Sequence, residues 1–296
     1  MERRPDLQRA IRRTCLCYKS HARQQAMTIP TQSIDRRARQ DRRNLEPHPI
    51  TEDLADALIA NEIELLFQPQ WRADGSLSGA EVLVRWEHPD HGSLAGDALV
   101  AIAQSGGIAR RLSRHIARGA FKAALDWPED LHLSLNVTAM DLFDRTFAEG
   151  LIEMIADYDF PPERLTLEIT EQALVADLDR SATRLDTLAQ QGIRIALDDF
   201  GAGFCNFRYL KVLPLHALKL DRAMIEGIAG DSRDLAVLRG IIAMARALEI
   251  DVLAEGVETE AQRDVVIDEG CAYWQGYLGG KPVNAEVFAE LALRQA

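Results

Sequence analysis

From residue 51 onward, short apolar runs that close on a polar residue alternate with longer stretches whose apolar positions recur every three or four residues. The short runs fall at 64–68, 80–86, 131–136, 165–168, 193–198, 217–220, 252–255 and 273–275. Their length and apolar density read as buried strands. The stretches between them, such as 180–191 and 234–248, read as amphipathic helices laid over those strands. Eight such repeats predict an α/β protein, a TIM-like (β/α)8 barrel. One junction departs from the pattern: Ala73-Asp74-Gly75, between the first two runs, is a turn sequence too short for a crossover helix. It predicts a hairpin, and so one antiparallel strand in the barrel. Ahead of the first run, Thr51 reads as the N-cap of a helix carrying Leu54 and Leu58.

A chain of 296 residues suits two ordinary domains or one large barrel. No second boundary is visible after residue 51, which predicts a single barrel over 51–296. Charge separates what precedes it. Residues 1–45 hold 12 Lys and Arg against 4 Asp and Glu, a net of +8; with −12 for the whole chain, the remainder carries −20. Residues 1–50 therefore read as a basic, disordered tail, a candidate contact for nucleic acid or a membrane surface, although short basic tails are more often solvated linkers. Met27 is an alternative start within it. There is no apolar run of membrane-spanning length and no apolar segment after the Arg-rich start, so the expected location is cytoplasmic. Cys15, Cys17, Cys205 and Cys271 form neither a disulfide framework nor a zinc-site spacing, and read as free thiols.

The candidate chemistry lies where the runs end, because the C-terminal strand ends of such a barrel converge on one face. They supply Gln68, Glu81, Asn136, Glu168, Asp198 with Asp199, Lys219 with Asp221, Glu255 with Glu258, and Gln275. Any one of these could cap a helix or face water. Converging carboxylates, however, raise one another's pKa unless cations sit among them. With oxygen donors, one amide and no His in the set, hard ions such as Mg²⁺ or Mn²⁺ fit better than zinc. The adjacent pair Asp198-Asp199 suits two neighbouring ions, the arrangement used to hydrolyse phosphodiesters. Lys219 fits as a charge near the attacking water, and Glu255 as its base. Gly201 and Gly203 allow a tight loop beside them.

These residues stand in a recognisable order. Glu81-Val82-Leu83-Val84-Arg85-Trp86, Asn136-Val137-Thr138, Glu168-Ile169-Thr170-Glu171, Asp198-Asp199-Phe200-Gly201, Leu218-Lys219-Leu220-Asp221, Ala254-Glu255-Gly256-Val257-Glu258-Thr259 and Gln275-Gly276-Tyr277 resemble the motifs of EAL-domain cyclic di-GMP phosphodiesterases. The resemblance spans about residues 51–290. It implies a barrel with one antiparallel strand that hydrolyses cyclic di-GMP to linear pGpG with two Mg²⁺ or Mn²⁺ ions, Ca²⁺ being inhibitory, and a homodimer. It places Glu81, Asn136, Glu168 and Asp198 on one ion, and Asp198, Asp199 and Glu258 at the second. Glu255 and Lys219 fall around the attacking water, with Gln275 close by. Gln68, Leu83 and Arg85 fall at the substrate, and Glu171 anchors the glycine loop.

Two positions depart from the family pattern. Val82 stands where Ala is usual, but strand alternation turns it away from Glu81, Leu83 and Arg85. Phe204-Cys205-Asn206 replaces the usual Tyr-Ser-Ser after Gly203, removing hydroxyls for which the Asn206 amide could partly substitute. Two alternatives of other classes stand beside hydrolysis: a catalytically silent cyclic di-GMP receptor, and a protein-interaction module. Both normally go with missing ligands, and none is missing here. Every motif lies beyond Glu62, so deleting residues 1–45 is expected to leave folding and turnover of cyclic di-GMP nearly unchanged. Circular dichroism and a hydrolysis assay on the truncated protein check this, and loss of either property would contradict it.

Overall fold

The computed structural model describes residues 49–175, 177–202 and 206–295. The basic tail, with Cys15, Cys17 and Met27, lies outside the described residues, as do Gly203, Phe204 and Cys205 of the glycine loop. Helix α1 (Pro49–Ala60) leads into β1 (Ile63–Arg72), which turns directly into β2 (Leu77–His88) and then β3 (Gly92–Ala95). Helices α2 (Gly96–Ser105) and α3 (Ala109–Ala124) precede β4 (His132–Val137), and α4 (Ala139–Phe143) and α5 (Phe147–Asp157) precede β5 (Leu165–Thr170). Next come α6 (Glu171–Leu174), α7 (Leu178–Ala189), β6 (Arg194–Phe200), α8 (Phe207–Val212) and β7 (Ala217–Leu220). The chain finishes with α9 (Arg222–Ile225), α10 (Ser232–Ala247), β8 (Asp251–Ala254), α11 (Glu260–Glu269), β9 (Tyr273–Gln275) and α12 (Ala285–Gln295).

The sheet order is β1-β9-β8-β7-β6-β5-β4-β2-β3, and a further β1–β2 pairing closes eight strands into a ring with β3 outside it. Strand β1 is antiparallel to both of its neighbours, and the other ring pairs are parallel. The architecture is thus the predicted barrel with one antiparallel strand. All eight predicted runs lie in or beside ring strands; β3, whose Gly-Ser-Leu-Ala sequence carries no alternation, was not foreseen. The capping role expected of Thr51 is corrected. It lies within α1, its side chain buried at 4% exposure against Gly106, where a Cβ would stand 1.8 Å from the Thr51 Cγ2.

Side-chain alternation divides each strand between two environments. Leu133, Leu135 and Val137 of β4, Leu165, Leu167 and Ile169 of β5, Ile195 and Leu197 of β6, and Leu218 and Leu220 of β7 all join the main apolar core beneath the helices. Val82 does so too, at 3% exposure, pointing away from the site as its position in the strand required. The alternate positions, Ser134, Glu168, Asp198 and Lys219, are buried and polar. The apolar core therefore lies outside the ring, and the inside is left for charge. A smaller cluster, with Leu54, Ile63, Trp86, Leu99 and Leu112, seals α1, α2 and α3 against the hairpin. No helix among the described residues is long and apolar enough to cross a membrane. Cys271 is a buried free thiol whose burial pushes it up to about 12.

The ring closes tightly where β2 meets β4. Gly79 pairs with His132, and a Cβ at Gly79 would stand 2.0 Å from the His132 carbonyl oxygen, an atom of the backbone that has no rotamer to escape into. Gly79→Ala is expected to destabilise the fold by about 3 kcal/mol, the upper part of the overpacking range. A urea midpoint equal to that of the parent protein would contradict it.

Candidate active site

Six strands deliver five charged side chains and one amide to one end of the ring. Glu81 comes from β2, Glu168 from β5, Asp198 from β6, Lys219 from β7, Glu255 from the residue after β8, and Gln275 from the end of β9. Lys219 is only 1% exposed. Its Nζ lies 2.6 Å from Glu168 Oε2, 3.0 Å from Glu255 Oε1, 3.3 Å from Glu81 Oε2 and 3.3 Å from Asp198 Oδ1. Two amides brace the carboxylates. Gln275 Nε2 donates to Glu81 Oε2 at 2.8 Å and to Glu255 Oε1 at 2.9 Å, while Asn136 Nδ2 donates to Glu81 Oε1 at 2.9 Å.

Beneath these groups lies a layer that the motif reading missed. Gln70 is 5% exposed; its Nε2 donates to Gln275 Oε1 at 3.0 Å and, more weakly, to Glu168 Oε1 at 3.5 Å, and its Oε1 accepts from Ser134 Oγ at 3.4 Å. Gln70 thus braces Glu168, which touches the lysine, and Gln275, while Ser134 holds Gln70. The period of two would have found both, since Gln70 follows Gln68 and Ser134 precedes Asn136 by two positions on the inner face.

Asp198 and Asp199 are neighbours in sequence, which in a regular strand would send them to opposite faces. The β6–β7 register slips between Leu197 and Phe200, and Asp199 takes a left-handed φ of 57°. Asp tolerates that conformation better than most residues, and such irregularities re-aim side chains at strand ends. As a result, carboxylate oxygens of Asp198, Asp199 and Glu255 lie within 4.8 Å of one another, and so do those of Glu81, Glu168 and Asp198. Asp198 belongs to both groups.

The remaining site residues are placed as follows. Gln68, half-buried, stands opposite Glu81 in register, Leu83 is half-buried opposite Leu66, and Arg85 is exposed opposite Glu64. Glu171 begins α6, and the backbone amide of Asn206 lowers its carboxyl pKa while burial, the larger effect, raises it. That amide joins Glu171 to the described end of the glycine loop. Glu258 lies apart from both carboxylate groups and pairs with Arg222 at 3.0 Å on the exposed rim.

Burial and mutual repulsion dominate the electrostatics. Burial pushes Glu168 well above the usual carboxylate range, against the pull of Lys219 and with Glu81 and Asp198 adding to the rise. Glu255 is pushed by burial to about 8, again against Lys219 and with help from Asp198 and Glu81. Asp199 is raised by burial and by the charges of Asp198 and Asp221. Burial acts on Glu81 as well, but Lys219 and the hydrogen bonds from Gln275 and Asn136 outweigh it and hold this carboxyl below its usual value. Burial alone would lower Lys219; Asp198, Glu168, Glu255 and Glu81 instead raise it well above an ordinary lysine. Four carboxylates against one ammonium leave three negative charges in excess when all are ionised. With an amide beside them and no His, this oxygen-rich set fits hard divalent cations.

The family model for the EAL domain matches residues 51–282. The chain belongs to the EAL domain family. Among curated relatives, the bifunctional diguanylate cyclase/cyclic di-GMP phosphodiesterase MucR of Pseudomonas aeruginosa is 36% identical over 240 residues, covering 79% of this chain and 35% of MucR. The cyclic di-GMP phosphodiesterase NbdA of the same organism is 35% identical over 244 residues, 81% of this chain and 31% of NbdA. This chain therefore spans about a third of the length of these relatives. Among solved structures, the MucR phosphodiesterase in complex with c-di-GMP aligns with a TM-score of 0.74 at 33% identity, covering 80% of this chain and 98% of that one. The EAL enzyme Bd1971 bound to cAMP and cyclic di-GMP aligns at 0.76 with 27% identity, covering 82% and 68%.

The raised carboxyl of Glu255 gives this EAL domain a testable proton balance. An acid whose folded pKa lies above its ordinary value of 4.5 stabilises the metal-free fold below that value, and this contribution is lost as pH rises through about 8. Burial raises both Glu255 and Glu168, so proton release is expected when the site is loaded with Mn²⁺ at pH 7. Calorimetry in buffers of different ionisation enthalpy counts it. Equal release at pH 7 and at about pH 9.5 would contradict the assignment.

Proposed function

We propose that this chain hydrolyses cyclic di-GMP in the cytoplasm, opening one phosphodiester to give linear pGpG. The observation that carries the reading is the pair of carboxylate groups sharing Asp198, set around buried Lys219 in a domain related to cyclic di-GMP phosphodiesterases. Glu81, Asn136, Glu168 and Asp198 would hold one ion, and Asp198 and Asp199 the second, with Glu258 reaching it by releasing Arg222. Two Mg²⁺ or Mn²⁺ ions would supply positive charge to the scissile phosphate and acidify a water for attack.

In this reading the protein groups do the rest. Glu255 Oε1, already an acceptor for Gln275 Nε2, takes a proton from the attacking water. The water oxygen bonds to phosphorus as the bond to the 3′ oxygen breaks, and that oxygen takes up a proton from solvent as it leaves. Lys219 supplies a fixed ammonium near the charge that develops. Gln68, Leu83 and Arg85 line the mouth and position the dinucleotide, Arg85 offering a guanidinium to phosphate. Glu171 tethers the glycine loop through the Asn206 amide. A homodimer belongs to the same proposal, as do a 1–50 tail and a catalytic 51–296 barrel.

Substrate binding should depend on divalent cations, because an anionic dinucleotide otherwise meets a mouth of like charge. Calorimetry with cyclic di-GMP in EDTA, Ca²⁺ and Mg²⁺ is expected to give tight binding only with the cations. Chromatography is expected to give pGpG with Mg²⁺ or Mn²⁺ and none with Ca²⁺, whose longer, looser bonds misplace the reacting groups. Asp199→Asn should keep binding and lose about 100-fold or more in turnover. Equal affinity in all three conditions would sink the metal-dependent reading.

A further inference from the structure

We infer that the outer wall of the barrel carries a second ligand site, a basic groove along α3 that takes a small polyphosphorylated molecule of nucleotide size. Its origin is topological. The β1–β2 hairpin brings no crossover helix; the outer face of β1 packs against α3 and α12, and at its start Ile63 joins Leu54 of α1 and Leu99 of α2. Halfway along, Phe67 closes that face by packing on Trp127 and Phe288. Toward the start of β1, beneath Leu65, the cover opens into a groove of about 760 Å³ running along α3 to Tyr158.

The α3 side of this groove is cationic. Arg111, Arg114, Arg118 and Lys122 recur at three- and four-residue spacing, so one helix face presents a charge on each successive turn. All four are exposed, and among the described residues none has a carboxylate within ion-pair distance. Arg110, by contrast, is paired with Asp144 at 3.0 Å. Among the described residues, the Arg111 side chain donates only to the Ala55 carbonyl, at 3.5 Å. Four like charges gathered in one concavity repel one another, and a bound polyanion relieves that repulsion. Three of them are guanidiniums, whose planar forks pair with phosphate oxygens two at a time. Leu65 and the Tyr158 ring add an apolar surface against which a base can lie.

Size and surroundings select the occupant. The volume falls within the range of small-ligand sites. Acidic residues flank the groove along the chain: Glu62 before Ile63, Asp126 beyond Lys122, and Asp157 and Asp159 beside Tyr158. A long polyanion such as nucleic acid would run out of the groove onto these carboxylates, whereas a nucleotide or short polyphosphate would not. The site is separate from the carboxylate centre, since Gln68 and Gln70 lie on the inner face of β1 and Ile63, Leu65 and Phe67 on the outer one.

Calorimetric titration of the full chain with inorganic tripolyphosphate and with GTP, both in EDTA, tests the inference without turnover or divalent ions. Its failure is thereby distinct from failure of the phosphodiesterase reading. The comparison is with Arg114→Glu/Arg118→Glu, exposed changes on a helix surface, and with Arg145→Glu/Arg233→Glu as a control that alters charge equally elsewhere. Both anions are expected to bind the parent protein, with affinity at least about tenfold weaker in the α3 variant and unchanged in the control. The basic tail is present in all three proteins, so any binding there cancels. No binding at about 1 mM anion, equal weakening in the control, or tighter binding of a single-stranded oligonucleotide than of GTP would each overturn it.

Discussion

A single ammonium buried among four carboxylates is the constraint on which the rest of this structure depends. Two like charges about 4 Å apart at an effective dielectric near 20 repel by on the order of 4 kcal/mol. Glu81, Glu168, Asp198 and Glu255 would therefore force one another to protonate or to separate if Lys219 did not stand between them. Even so, the balance is incomplete, and Glu168 and Glu255 are left well above their ordinary values. A centre built this way is under-compensated toward positive charge, which is the electrostatic meaning of a cation site.

Holding that centre shapes the whole barrel. The inner face of the ring is given to groups that can hydrogen-bond to charge, Gln70, Ser134, Gln275 and the carboxylates, and the apolar residues that stabilise the fold lie on the outer faces beneath the helices. Val82 illustrates the division: one position away from Glu81, it belongs to the other environment and adds its bulk to the helix packing. Buried polar networks are favourable only when every member has a partner, and the Gln70 layer supplies partners below the level at which a metal or substrate would sit.

Two departures from a regular barrel tune this arrangement. The hairpin that makes β1 antiparallel brings Gln68 and Gln70 to the ring interior and at the same time removes a covering helix from the outside. The irregularity at Asp199 brings a second carboxylate round to the face of Asp198. One defect leaves a basic groove on the outer wall; the other joins two three-carboxylate groups through the shared Asp198. Charge is thus distributed with opposite sign on the two sides of β1.

Much of this was legible in the linear chain, because strand period and turn chemistry are local properties. Eight apolar runs predicted the ring, Ala73-Asp74-Gly75 predicted the hairpin, and the polar ends of the runs nominated Glu81, Glu168, Asp198, Lys219, Glu255 and Gln275, all of which meet at one end of the barrel. What stayed hidden depended on distant partners or on backbone irregularity. Thr51 had the chemistry of a cap, yet it packs inside its helix because Gly106, far along the chain, leaves it space. Gln70 and Ser134 looked like ordinary strand polar residues until closure of the ring faced them toward each other. Sequence by itself thus determined the fold class and nominated most of the acidic residues that gather at the strand ends, since periodicity and residue chemistry need no third dimension. Only tertiary structure decided that Asp198 and Asp199 would share a face, that one lysine would stand among carboxylates from four strands, and that Glu258 would pair with Arg222 on the rim, because those outcomes turn on distances of a few ångströms between residues that closure alone brings together.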